Sequence, residues 1–158
     1  MKNYKILVVD DEPNIARILA YELKKENYTV LLANDGAEAL EISKKELPDL
    51  IISDIMMPKM DGYELCRHLK ENPTLKAIPF IFLTAKTGDE NKVYGVSIGA
   101  QKYLIKPVNK DELLKAVNLR LKHSEEAKKL FAKKAKKSGP HSRPNLNGDR
   151  YLAMGNSL

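Results

Sequence analysis

The 158-residue chain has no tryptophan, only three phenylalanines and a single cysteine, Cys66. One cysteine excludes an intramolecular disulfide and, with it, the small stapled folds of secreted proteins. It fits a reducing compartment, so a cytoplasmic location is expected. Cys66 stands beside Leu65 and Leu69 in a segment of helical spacing, and reads as core filling rather than as a nucleophile. Long apolar runs are missing as well. The first, Ile6 to Val9, ends at Asp10-Asp11-Glu12, which is neither a signal peptide nor a span, so no membrane partner is expected. The loop after that run, "VVDDEPN", contains no glycine and therefore lacks the backbone cradle of a nucleotide-binding turn. There is no internal repeat. An overall charge imbalance is also missing from most of the chain: residues 1–121 carry 18 Lys+Arg and 18 Asp+Glu. The formal +6 belongs to residues 122–158, with nine basic and three acidic residues. Any general affinity for polyanions is thereby assigned to the tail, and no direct DNA binding is expected of the remainder.

What is present is a repeating alternation. Five short apolar runs cover residues 5–9, 28–33, 49–53, 80–83 and 102–105, mostly continuous, as in strands covered on both faces. Between them lie helical stripes: Ile15, Ile18, Leu19 and Leu23; Leu65, Cys66 and Leu69; Leu113, Leu114, Val117 and Leu121. Pro13 suits a first helical turn, and Asp35 with Glu38 and Asn109 with Glu112 have capping-box spacing. The spacing predicts an α/β protein, a doubly wound parallel sheet of five strands with five helices. Residues 1–122 form the expected domain. Helix formers continue over 123–137 as a basic extension or linker, and 138–158 has the composition of a disordered tail.

The polar residues fall at one edge. "LIISDIMMPKMDG" runs an apolar strand into Asp54, and an ionised carboxylate is costly to bury without a partner. Asp10 and Asp11 end the first strand, Thr84 the fourth and Lys106 the fifth. In an open α/β sheet these carboxyl ends bind ligands. Carboxylates without His or Cys make a hard oxygen site suited to Mg²⁺ rather than zinc. Lys106 and Thr84 would contact an anion beside the metal, and Asp54 could act as a nucleophile toward phosphorus. Taken alone, Asp10-Asp11-Glu12 fits equally well as charge at a helix N-terminus. The joint placement on four strand ends is what argues for a site.

At these residues the sequence resembles the receiver domain of bacterial two-component response regulators, a likeness that covers residues 3 to about 122. The resemblance implies a flavodoxin-like sheet of order 2-1-3-4-5. It makes Asp54 the phosphoryl acceptor, with Asp10, Asp11, Asp54 and the Met56 backbone carbonyl holding Mg²⁺. Thr84 would be the switch hydroxyl, Lys106 the phosphate-contacting lysine ahead of a cis bond to Pro107, and Tyr103 the aromatic that changes rotamer. The implied partners are a sensor histidine kinase or phosphotransfer protein upstream, and downstream a protein or a separate output domain. The latter would dock on the fourth helix, fifth strand and fifth helix, roughly 89–98, 101–105 and 110–121.

Gln101-Lys102 replaces the acidic residues of many relatives, which removes a charge from the dimer face of the winged-helix subfamily. A phosphorylation-dependent homodimer stays open. Phosphatases of the haloacid-dehalogenase type place a second Asp two residues after the nucleophile, where this chain has Met56, so a turnover enzyme is not expected. Met56 and Lys86 flank the expected path of water, which predicts slow self-dephosphorylation. A receiver-like docking module that works without phosphorylation is the alternative function. Residues after 122 are too few and too polar for an output domain, so the chain is expected to be either a single-domain regulator or part of a longer protein.

Overall fold

Short β-branched and aliphatic runs form five strands, β1 (Lys5–Val9), β2 (Thr29–Ala33), β3 (Leu50–Asp54), β4 (Phe80–Thr84) and β5 (Lys102–Ile105). Among the described residues the helices are α1 (Pro13–Lys25), α2 (Gly36–Glu46), α3 (Gly62–Glu71) and α4 (Lys110–Ser138). This computed structural model describes residues 3–85 and 102–138, with side chains as far as 133. The helix expected over 89–98, Lys86, Gln101 and the tail from 139 lie outside the described residues. The chain divides into two compact units, Met1–Lys122 and His123–Leu158.

All strand pairs are parallel and the order is β2-β1-β3-β4-β5, as expected. Alternate residues of each strand serve two cores, one on each face. Leu7, Val9, Ile51, Phe80 and Phe82 pack with Ala39, Leu65, Cys66 and Leu69. Ile6, Val8, Ile52, Ile81 and Leu83 pack with Leu19, Leu23, Leu113, Val117 and Leu121. Each large aliphatic side chain fully buried in this way contributes roughly 1.5–3 kcal/mol. Burial pushes the Cys66 thiol up to about 11, in keeping with a core residue.

Two expectations need correction. The buried stripe of α1 is Ala16, Leu19, Ala20 and Leu23, while Ile18 is 61% exposed. The small alanines let α1 sit close to the sheet, which rotates Ile18 outward. Nor is every strand covered on both faces: β2 is an edge strand, and Thr29 and Leu32 face solvent.

Helix starts follow local chemistry. Asp35 caps α2 by accepting from the Glu38 N–H at 2.8 Å, but the Glu38 carboxylate accepts from Asn34 N–H instead of closing a box. The complete capping box is at α3, between Asp61 and Glu64, a pair the spacing analysis did not single out. Asn109 Oδ1 accepts from Glu112 N–H at 3.1 Å, as expected.

Candidate functional site

The strand order reverses between β1 and β3, so the crevice lies beyond their C-terminal ends. Register makes the meeting of polar residues geometric. Val9 pairs with Ser53, so Asp10 and Asp54 leave adjacent strands at the same level. Asp54 is the last residue of β3 and pairs with Leu83, which puts Thr84 one step beyond it. Thr84 pairs with Ile105, and the Lys106 N–H donates to the Thr84 carbonyl at 2.8 Å, extending the ladder past β5. The Lys106–Pro107 bond is cis.

Lys106 Nζ then reaches across the sheet. It lies 3.1 Å from Asp10 Oδ2, 3.2 Å from Asp54 Oδ2 and 3.5 Å from Glu12 Oε1. Asp10 is fully buried and Asp54 nearly so. Asp10 Oδ1 accepts from the Glu12 N–H at 2.9 Å, whereas its Oδ2 receives no hydrogen bond of good geometry and has only the ion-pair approach of Lys106. Burial pushes the Asp54 carboxyl above its ordinary range; Lys106 opposes this, and the charges of Asp10 and Asp11 reinforce it. Burial works to lower the Lys106 ammonium, but its contacts with Asp10 and Asp54 prevail and hold it above the ordinary lysine value. Three carboxylates thus face one ammonium.

Carboxylate oxygens of Asp10, Glu12 and Asp54 all lie within 4.8 Å of one another. An all-oxygen set with an underused buried oxygen fits a hard divalent cation such as Mg²⁺. Glu12 was not among the residues assigned to the metal from sequence; Asp11, which was, is exposed and bears on Asp54 through its charge. The run Asp10-Asp11-Glu12 carried the signal for Glu12, but a carboxylate at a helix start is ordinary. Met56 is 75% exposed in the loop after β3.

That loop is tightly built. Lys59, at φ 69°, centres a γ-turn closed by Met60 N–H donating to the Pro58 carbonyl at 2.8 Å. Gly62 follows because nothing larger fits: a Cβ there would come within 2.3 Å of the Asp54 carbonyl oxygen. The first turn of α3 is therefore pressed against the end of β3, with Gly62 N–H donating to the Ile55 carbonyl at 2.8 Å.

Thr84 is buried, and its hydroxyl donates to the Ala85 carbonyl at 3.1 Å, along its own chain. Tyr103 is half-buried, with its ring 5.2 Å from that of Phe82, which also meets Phe80 and Tyr63 edge-on. Beside β5 and α4 lies an open groove of about 290 Å³, lined by Leu104, Ala116 and Leu119 with Lys102, Lys115, Arg120 and one carboxylate, Glu112.

The chain resembles known proteins in sequence and fold. The chain is 43% identical over 123 residues to the alkaline phosphatase synthesis transcriptional regulatory protein PhoP of Bacillus subtilis. The match takes in 78% of this chain and 50% of that protein, so the chain spans about half the length of that curated relative. The receiver domain of Francisella response regulator 1452 is 35% identical and superposes with a TM-score of 0.71 over 77% of this chain and 99% of that one. The Vibrio cholerae chemotaxis protein CheY4 is 37% identical, with a TM-score of 0.71, over 74% of this chain and 98% of its own. A family model described as the response regulator receiver domain matches residues 6–118. With that model covering most of the chain and solved receiver structures superposing on its fold, the chain belongs to the response regulator receiver domain family.

Proposed function

We propose that this receiver accepts a phosphoryl group on Asp54 in a Mg²⁺-dependent reaction and passes the signal through its β5–α4 surface. The observation that carries the reading is Lys106 Nζ held between Asp10 and Asp54. Asp54 Oδ would attack the phosphorus of a donor, forming an O–P bond as the P–N bond of a phosphohistidine, or the P–O bond of a small phosphodonor, breaks. The leaving group keeps the electron pair, and Asp54 needs no proton transfer because it attacks as the carboxylate. Asp10, Asp11, Asp54 and the Met56 carbonyl would hold Mg²⁺, with Glu12 available to the same cluster. When bound, the ion neutralises charge on the phosphoryl oxygens. Lys106 would leave its carboxylates in part to meet the incoming anion.

The donor is a sensor histidine kinase or a phosphotransfer protein, and the setting cytoplasmic. Thr84 would turn from the Ala85 carbonyl toward the phosphoryl group, a charge-assisted bond that the neutral contact cannot match. Space beside Phe82 then opens to Tyr103. The groove around Leu104 carries Lys102, Lys115 and Arg120 against the single carboxylate of Glu112, a net positive lining that suits a downstream partner with acidic and apolar groups together. Met56 has no group to orient an attacking water, which supports slow loss of the phosphoryl group.

Incubation with acetyl phosphate or phosphoramidate and Mg²⁺ tests the reading by intact mass. One phosphoryl group, absent from Asp54→Asn and absent with EDTA, is expected. Equal labelling of Asp54→Asn would refute the assignment.

A further inference from the structure

The last helix continues to Ser138, and its distal part, from His123, carries an unusual surface. Leu130 and Phe131 are 68% and 76% exposed, the two most exposed large apolar side chains of this helix. Lys128, Lys129 and Lys133 surround them and face solvent, and Lys134, Lys136 and Lys137 follow within the same helix. Residues 122–137 hold seven lysines against Glu125 and Glu126, while residues 1–121 are neutral overall. The positive field of this segment is therefore not cancelled by the rest of the chain.

We infer that the helix beyond residue 122 lies on anionic phospholipid surfaces, with Leu130 and Phe131 entering the headgroup boundary and the lysines meeting lipid phosphates. Clusters of four to eight basic residues have this preference, and Phe and Leu are the apolar side chains that membrane-surface segments insert. Other occupants fit less well. A second copy packed on Leu130 and Phe131 would bring together two segments of the same net positive charge. A nucleic-acid backbone would take the lysines but offers Leu130 and Phe131 no apolar environment. The inference departs from the expectation that no membrane takes part: a chain that cannot span a bilayer can still rest on one.

The chain has no tryptophan, so Phe131→Trp in the full chain gives a single reporter. With vesicles of phosphatidylcholine and phosphatidylglycerol, its emission is expected to shift to the blue and the protein to sediment with the vesicles. With phosphatidylcholine alone neither should occur. Replacing any one of Lys128, Lys129 or Lys133 by Gln should weaken binding about fivefold, because each basic residue near such a surface is worth on the order of one kilocalorie. Leu130→Ala should weaken it as well and, leaving the charge intact, identifies the apolar contribution. No sedimentation with anionic vesicles overturns the inference. So does capture by duplex DNA without a blue shift on vesicles, or a concentration-dependent dimer that shifts the emission with no lipid present.

Discussion

Three carboxylates around one ammonium leave the resting pocket with an excess of negative charge, and the cost falls on Asp54. Burial, then the charges of Asp10 and Asp11, hold its carboxyl above the ordinary range against the pull of Lys106. The native state thus keeps this proton to higher pH than the unfolded chain does, and metal-free stability falls as pH rises through the carboxylate range to the raised value. Asp54→Asn removes that charge while Asp10 and Glu12 still pair with Lys106. Its melting midpoint in EDTA at neutral pH is expected to rise by roughly a few °C, with no such gain at pH values below the carboxylate range. A lowered midpoint would contradict the electrostatic account. Lys106→Met has the opposite sign: it leaves Asp10 buried with no cation, and should cost about 3 kcal/mol in denaturant unfolding without metal, partly restored by Mg²⁺. Asp10, Asp54 and Lys106 were legible in sequence because each is a polar residue ending an apolar run. Glu12 was not, because its convergence depends on how the chain turns into α1.

Elements were easier to find than their rotations. The strand runs announced themselves through Val, Ile and Leu, and their ends were placed to within a residue. In α1 Leu19 and Leu23 are buried and Ile15 packs against the same core, as expected. Ile18, however, faces solvent, while Ala16 and Ala20, too weakly hydrophobic to stand out in the sequence, complete the buried stripe. The junction between β3 and α3 escaped notice for a related reason. "MDG" reads as a plain helix start, and only the fold puts Gly62 against the Asp54 carbonyl. Gly62→Ala must separate α3 from the end of β3. The expected loss is about 3 kcal/mol, with Gly62→Ser at least as damaging. Because the displaced atom is Asp54 backbone, acetyl phosphate labelling of the folded fraction should slow too. Unaltered stability and labelling would show that the junction yields freely.

For the whole molecule, the doubly wound sheet was predictable because five strand–helix repeats with this polarity leave few alternatives. Edge positions were not, and β2 is accordingly more exposed than its composition suggests. The same topology links the pocket to the proposed output surface: Thr84 ends β4, Phe82 lies two residues back on that strand, and Tyr103 packs on Phe82 from β5. Beryllofluoride, which mimics a phosphoryl group, should therefore shift amide NMR signals at Tyr103 and along the groove of Lys102, Lys115 and Arg120. In Thr84→Ala it should still bind at Asp54, but those distant shifts should shrink. Distant shifts of full size in Thr84→Ala would remove the hydroxyl from the relay.

The claim on which everything else depends is that Asp54 is the acceptor, and reduction of the phosphorylated chain with borohydride tests it most directly. An acyl phosphate is reduced to the alcohol, so an aspartyl phosphate becomes homoserine in the peptide that contains it. The account predicts homoserine at position 54, dependent on phosphodonor and Mg²⁺, with Asp10 and Asp11 unchanged. Homoserine at position 10 or 11, or a phosphoryl group that resists borohydride, would contradict it.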